Sequence, residues 1–294
     1  MKKVVVILAL LFLICHGTDA APQVFSHDDS ESVIGSVVTY TAKARESLIE
    51  VARTFDLGFN EIAAANPGVD PFVPGEGTTL AIPTSWILPD MGASEGIVIN
   101  LSELRLYYFY QIGPAKFVQT FPIGIGSEGN DTPTGQFVVI EKIIQPSWHV
   151  PESIRKEKPY LPALVPPGPR NPLGSHAMRL SLPSILIHGT NKPWGVGRRV
   201  SHGCIRLYPE DIPVLFRSVQ KNVKVTVVRQ PVKAGLKGEK IYLEVHGDDA
   251  KGDSELISDA VSLLAKKRFL TLVSTEKLYH AIQEKKGTPV DISE

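Results

Sequence analysis

Cysteine is almost missing from this chain: two in 294 residues, Cys15 and Cys204. An excess of charge of one sign is missing too, since 31 Lys and Arg face 31 Asp and Glu, so nothing in the net charge points to a nucleic-acid tail or a polybasic membrane arm. Beyond the first twenty residues no run is apolar enough to span a membrane. What is there in quantity is Gly (24) and Pro (23), which favours a turn-rich β or α+β protein over a helical bundle. At 43% hydrophobic residues the chain buries real cores, and its length suits about two domains.

Met1, Lys2 and Lys3 make a short basic start, Val4 to Ile14 is an unbroken apolar run, and Gly17, Thr18, Asp19 and Ala20 supply small and polar residues for cleavage. This is the pattern of a secretory signal peptide over residues 1–20. The apolar run would make roughly 17 Å of helix, too short for a hydrocarbon core of about 30 Å. Bulky Ile14 before Cys15 speaks against a lipid attachment there. Cleavage removes Lys2, Lys3, Asp19 and Cys15, leaving 29 basic against 30 acidic residues and a single cysteine, Cys204. No internal disulfide is then available. A lone thiol in an oxidising compartment needs either burial or a task.

Residues 37–83 read as a compact unit. Val37 to Ala42 alternates as a strand, Leu48, Val51, Ala52 and Phe55 repeat on one helical face, and Asn60 is placed to cap a second short helix containing Ile62. Thr79 to Ile82 closes the unit as a strand. Residues 84–96, with Pro, Asp and Gly punctuation and no period, read as a linker. Strand patterns follow at Ile97–Asn100, Leu104–Tyr110, Phe117–Ile123 and Phe137–Ile144. Eight prolines between Pro146 and Gly174 argue against a regular helix there and mark a long functional or wrapping loop. A short buried strand, Ser184 to His188, an amphipathic helix through Ile212, Leu215, Phe216 and Val219, and a strand over Val223–Val228 complete the segment 97–229. The extension 230–294 offers a strand at Ile241–Val245 and helical stripes through Ile257, Ala260, Val261 and Leu264, and through Leu278 and Ile282. It carries no chemical motif.

Chemistry concentrates in "IHGTNKPWGVGRRVSHGCIRL", residues 187–207. A free thiol is only roughly 3% ionised at neutral pH, so a nucleophilic cysteine needs a base or an electropositive site. His188, His202 and Arg206 are near in sequence. In an extended segment His202, Cys204 and Arg206 share one face, while Ile205 and Leu207 turn to the core. Gly203 permits a tight turn, and amides around Gly203 and Cys204 suit an acyl-transfer oxyanion. Plain alternatives stand beside each role: an inert buried thiol, a core histidine at 188, structural support from His202, solvated charge at Arg198 and Arg199, and a wall or core position for Trp194 and Met178. A zinc site from His176, His188, His202 and Cys204 would consume the nucleophile and lacks a paired-cysteine motif.

The block "HGTNKPWGVGRRVSHGCIRL" resembles the active-site segment of YkuD-type L,D-transpeptidases, specifically the periplasmic group in which a LysM module precedes the catalytic domain. The resemblance extends through "AAANPGVDP" and "LAIP" in residues 37–83, then "ELRLYYF", "FPIGIG", "DTPTGQF", "PPGPRNPLG" and "QPVKAGLKGEKIYLEVH". It implies an α+β protein: a βααβ LysM module, a β-rich catalytic domain of mixed sheets with a short helix, and a C-terminal extension. It implies Cys204 as nucleophile, His188 as base and later proton donor, the Gly189 carbonyl orienting the imidazole, and His202 with Gly203 lining the oxyanion site. Arg206, Trp194, Ser201 and Met178 would meet substrate. Arg45 stands where many such modules carry Pro-Gly, and Arg206 where many members carry Asn.

The implied reaction breaks the bond between the L-centre of residue three and D-alanine in a peptidoglycan tetrapeptide stem and passes the acyl group to an amine. That amine is a second diaminopimelate, giving a 3→3 crosslink, or the lysine of an outer-membrane lipoprotein. The implied partners are stem peptides and glycan strands, in the periplasm, with no nucleic acid, no cofactor and no metal. A carbapenem would acylate the same thiol. Two other readings use the same residues or none of them: a carboxypeptidase or lipoprotein-releasing hydrolase in which water replaces the amine, and a non-catalytic glycan-binding scaffold.

Overall fold

A computed structural model describes residues 22–28, 30–90, 95–247 and 251–294, so the expected leader over residues 1–20 lies outside the described residues. The central sheet has nine strands in the spatial order Val24–His27, Ala115–Pro122, Arg105–Ile112, Gly96–Asn100, Lys224–Val228, Gly135–Ile144, His176–Leu180, Leu186–His188 and Ile205–Arg206. Its pairs are antiparallel except Gly96–Asn100 with Lys224–Val228, and Leu186–His188 with Ile205–Arg206.

Period two sends alternate residues of these strands to opposite faces, and both faces are covered. On one face Ile97, Ile99, Leu106, Phe121, Met178, Ile187 and Ile205 form a core with Ile212 and Leu215. On the other, Val98, Tyr107, Phe109 and Val118 share a second core with Leu48, Val51, Leu57, Ile62, Leu80 and Ile82 from the N-terminal unit. That unit is therefore packed onto the sheet rather than strung before it.

Within it the order is strand Val38–Thr41, helix α1 (Leu48–Thr54), helix α2 (Phe59–Ala65) and strand Thr79–Ile82, the two strands pairing antiparallel. Ser47 and Glu50 form a capping box that starts α1: the Ser47 amide donates to Glu50 Oε2 (2.8 Å) and the Glu50 amide to Ser47 Oγ (3.4 Å). Helix α2 begins after Gly58, two residues earlier than the Asn60 cap expected, because Glu61 reaches back to accept from the Gly58 amide (2.6 Å). Arg45 has φ 62°, the left-handed conformation that a glycine would otherwise supply between strand and helix.

Three expectations fail for identifiable reasons. The segment taken for a linker contains a strand, Ser85–Ile87, which pairs with Val33–Gly35 and buries Trp86 in the second core. Only three residues long, it offers no period to read. Strands Val24–His27 and Val33–Gly35 likewise lie in the polar stretch before Ser36, for which the sequence offered no element. The proline-rich loop does hold a helix, α3 (Glu152–Glu157), fitted into the proline-free run after Pro151, where a missing N–H costs nothing. Helix α4 (Asp211–Ser218) covers the first core.

The C-terminal segment builds its own core from a hairpin, Val232–Lys237 with Lys240–Val245, a short third strand Val290–Asp291, and helices α5 (Asp253–Lys266) and α6 (Thr275–Glu284). A buried ionic knot ties it to the sheet. Lys233 Nζ pairs with Glu103 (2.6 Å) and Glu244 (2.8 Å) and donates to the Ile87 carbonyl (2.6 Å), while Tyr107 donates to Glu103 (2.8 Å). Among the described residues no helix is long and apolar enough to cross a membrane.

A second ionic cluster joins α2 to the sheet. Arg105, fully buried, makes a two-pronged pair with Glu61 (2.8 and 2.9 Å), donates to the Asp56 carbonyl (3.0 Å) and Thr120 (2.6 Å), and lies 4.1 Å from the Trp86 ring centre. Arg53 pairs with Glu210 through two bonds (2.7 and 2.8 Å), and Tyr208 donates to the Leu57 carbonyl (3.0 Å). Between these lie two buried carboxylates, Asp56 and Asp211, whose four oxygens meet no other donor among the described residues. Burial pushes Asp56 up to about 7 against the pull of Arg105, and burial with the neighbouring Asp56 charge lifts Asp211 further. Ionising either carboxyl group is opposed by burial and by the charge on the other, so both stay protonated at acidic pH.

Raised carboxylate pKa values stabilise the fold below the unfolded value of about 4, and that contribution is lost as pH climbs through 7. The melting temperature should therefore fall between pH 5 and pH 8, and Asp211→Asn should raise it at pH 8 while flattening the dependence. Calorimetry at the two pH values checks this; a wild type as stable at pH 8 as at pH 5 would refute it.

Candidate active site

The site is built on the last two strands of the central sheet. Leu186–His188 and Ile205–Arg206 run parallel, with Ile187 opposite Ile205 and His188 opposite Arg206. The apolar pair points into the core, so His188 and Arg206 share the opposite face. One register step back puts Cys204 beside Leu186 on that face. His188 and Cys204 are thus diagonal neighbours, a relation that in sheets spans about 7–8 Å and lies within reach of a ring. From Ser201 to Leu207 buried and half-exposed residues alternate strictly, with His202, Cys204 and Arg206 on the open side.

His188 is 3% exposed, and its Nδ1 lies 2.5 Å from the Gly189 carbonyl oxygen. A carbonyl only accepts, so in the neutral ring the proton sits on Nδ1 and the lone pair on Nε2. Burial, and then the Arg206 charge, push the imidazole down to about 3, while the carbonyls of Gly189 and Leu173 pull the other way. Gly189 itself leaves no room for a side chain: a Cβ there would lie 2.8 Å from Ile212 Cγ2.

Cys204 is a free, partly exposed thiol whose Sγ donates to the Ser184 carbonyl at 3.4 Å. Burial raises its pKa above the ordinary thiol value; the Leu186 backbone and the Arg206 and Arg179 charges act against that. Both shifts favour uncharged partners. The resting pair is thiol and imidazole, not thiolate and imidazolium, so proton transfer must accompany attack.

The turn that presents Cys204 is held from inside. Ser201 Oγ accepts from the Gly203 amide (3.2 Å) and donates to the Cys204 carbonyl (2.6 Å). Gly203 has φ +98°, where an L side chain is strained. His202 Nε2 lies 3.1 Å from Glu157 of α3, tying the nucleophile turn to the proline-rich strap.

The remaining expected residues divide. Arg206 stands beside both reactive groups, and its Nε is buried with no acceptor among the described residues. Trp194, on a short helical turn Pro193–Gly195, is 62% exposed. Met178 is corrected from a substrate contact to a core residue: it is 0% exposed and lies across the strand pair from Ile187. Ser201 is corrected likewise, since at 1% exposure it meets the turn and not the cleft. His176, His188, His202 and Cys204 do not converge. Among the described residues the group with metal-ligand spacing is Glu103, Glu244 and His246, and the Lys233 ammonium already bridges its two carboxylates.

Sequence reasoning missed how the loop between His188 and Cys204 is gripped. Gly197, at φ +76°, lies so close to α2 that a Cβ would sit 2.1 Å from the Phe59 nitrogen. The Asn60 amide donates to the Gly197 carbonyl (3.3 Å), and the Arg198 guanidinium lies 3.8 Å from the Phe59 ring centre. The Gly197 spacing in "GVGRR" was the one signal of this approach.

Comparison with known proteins bears on the same residues. A family model described as an L,D-transpeptidase catalytic domain, YkuD, matches residues 94–233. The chain is 41% identical over 264 residues to the probable L,D-transpeptidase YcfS of Escherichia coli, covering 84% of this chain and 80% of that protein. It is 34% identical over 307 residues to the probable L,D-transpeptidase ErfK/SrfK of the same organism, covering 100% and 98%. Among solved structures it is similar to the catalytic domain of the E. faecium L,D-transpeptidase, with a TM-score of 0.36 and 23% identity over 47% of this chain and all of that one.

Iodoacetamide labelling of Cys204, followed by mass spectrometry, should accelerate about tenfold per pH unit through neutrality and on toward pH 9, with no step near 6.5. Arg206→Met should slow labelling at pH 8. A reaction already on its plateau at pH 6 would mean a preformed thiolate and overturn the neutral-pair assignment.

Proposed function

Because the chain belongs to the YkuD family of L,D-transpeptidases, we propose that Cys204 carries out acyl transfer on peptidoglycan tetrapeptide stems. The observation that carries this reading is the placement of a partly exposed thiol and an uncharged, carbonyl-anchored imidazole on one face of adjacent strands. His188 Nε2 takes the thiol proton as sulfur attacks the carbonyl of the L-centre of residue three. The tetrahedral oxyanion collapses, the carbon–nitrogen bond to D-alanine breaks, and the imidazolium gives its proton to the leaving amine, leaving a thioester. An incoming amine then attacks, loses its proton to His188, and the carbon–sulfur bond breaks to restore the thiol.

The low pKa of His188 serves the leaving-group step. An imidazole that holds a proton poorly is a strong acid once charged, which suits it to protonating an amine leaving group. Arg206 next to the sulfur opposes the burial penalty on developing negative charge. Its half-exposed guanidinium offers donors for a stem-peptide carboxylate. The acceptor is a diaminopimelate side chain or a lipoprotein lysine, two amines of the same chemistry.

The unit over 37–83 is proposed to bind glycan as a LysM module, supported by its βααβ order and by the left-handed turn at Arg45. The leader over 1–20 would deliver the protein to the periplasm, where both substrates lie.

Purified protein incubated with disaccharide tetrapeptide should give, by mass, a crosslinked dimer lacking one D-alanine. Cys204→Ala and His188→Ala should give none, a loss of at least about 10³-fold. Free tripeptide alone from wild type would replace transfer with hydrolysis. Undiminished turnover by Cys204→Ala would remove the nucleophile and the proposal.

A further inference from the structure

The "DTPTGQF" segment takes no part in the mechanism above, yet one of its side chains reaches the nucleophile turn. Thr132 is 4% exposed; its Oγ1 accepts from the Gly126 amide (3.0 Å) and donates to the Gly203 carbonyl (2.9 Å). A hydroxyl has one hydrogen, so accepting from the Gly126 N–H commits that hydrogen to Gly203 and fixes the direction of the chain. The turn around it is rigid: a Cβ on Gly126 would lie 2.0 Å from the Asn130 carbonyl oxygen, and the Ser127 amide donates to the Ser201 carbonyl (2.8 Å).

The Gly203 carbonyl belongs to the same peptide unit as the Cys204 amide. That unit is planar and trans, so its C=O and N–H point in opposite directions. Holding the oxygen inward on Thr132 therefore turns the Cys204 N–H away from the turn's interior. The Gly203 amide is already committed to Ser201 Oγ, so it is not free to receive an oxyanion as the sequence suggested. We propose that Thr132 is a positioning residue for acyl transfer, aiming the Cys204 amide at the oxyanion by pinning the Gly203 carbonyl.

This rests on the transferase reading. With a glycine on one side, the peptide has unusual freedom to rotate once the hydroxyl is gone, and the amide's stabilisation of developing charge goes with it.

Two reactions of Cys204 separate this role from general support of the fold. Acylation by a carbapenem passes through a tetrahedral oxyanion; alkylation by iodoacetamide does not. Thr132→Val keeps the shape and removes the hydroxyl, and should slow acylation about 10²–10³-fold, the range for loss of one oxyanion donor, with alkylation unchanged. Thr132→Ser, which restores the hydroxyl, should acylate as wild type does. Equal slowing of both reactions in Thr132→Val, no slowing of either, or failure of Thr132→Ser to restore acylation would overturn the proposal. A wild type that is alkylated but never acylated would overturn the transferase reading and this assignment with it.

Discussion

Ile187 lying against Ile205 is the contact that sets the spacing of every reactive group. Two parallel strands of three and two residues meet there at the end of a nine-stranded sheet, and the buried pair fixes their register. A slip of one residue would send Cys204 and Arg206 into the core and bring Ile205 to the cleft. The burial of two isoleucines thus makes the chemical face unique, at an apolar gain of about 1.5–3 kcal/mol for each side chain. Ser201 and Gly203 shape the approach to this register, and the Gly189 carbonyl completes it by fixing the imidazole tautomer.

The electrostatics follow from that placement. Putting base and nucleophile against a packed sheet removes water from both, and desolvation disfavours charge on either. A single cation, Arg206, then acts with opposite sense on the two: it lowers the imidazole further and partly restores the thiol's acidity. The site is consequently quiet at rest and becomes charged only as the substrate carbonyl accepts the sulfur. The same arrangement protects the resting nucleophile from side reactions, because a neutral thiol reacts slowly with disulfides and oxidants.

Much of the site was legible because its logic is local. Alternation from Ser201 to Leu207 named the chemical face, whereas the choice of His188 among the nearby candidates and of the Gly189 carbonyl as its anchor came from the family resemblance of the block and not from local pattern. The longer strands, Gly96–Asn100, Arg105–Ile112, Ala115–Pro122, Gly135–Ile144 and Lys224–Val228, were legible for the same local reason. What escaped was long in sequence and short in space: Thr132 reaches Gly203 across 71 positions, and Arg53 reaches Glu210 across 157. Local period is silent about such partners. Met178 illustrates the converse, since its strand was not seen and its burial depends on which neighbour, Ile187, the sheet places opposite it. The strand at Ser85–Ile87 was hidden because three residues cannot show a period, although Trp86 is among the largest side chains in the core.

The relation of the N-terminal unit to the site changes what that unit does for catalysis. A module on a flexible linker raises local substrate concentration and leaves orientation free. Here α1 and α2 share a core with the sheet, Arg105 and Glu61 are sealed inside the junction, and the first turn of α2 touches the loop between base and nucleophile through Gly58 and Gly197. The shared apolar core, with this pair enclosed in it, holds the unit against the sheet. If the unit binds glycan, as proposed above, the strand it holds would be presented to Cys204 at a fixed offset and angle, and selection among neighbouring stem peptides would fall to the geometry of the junction rather than to the length of a tether.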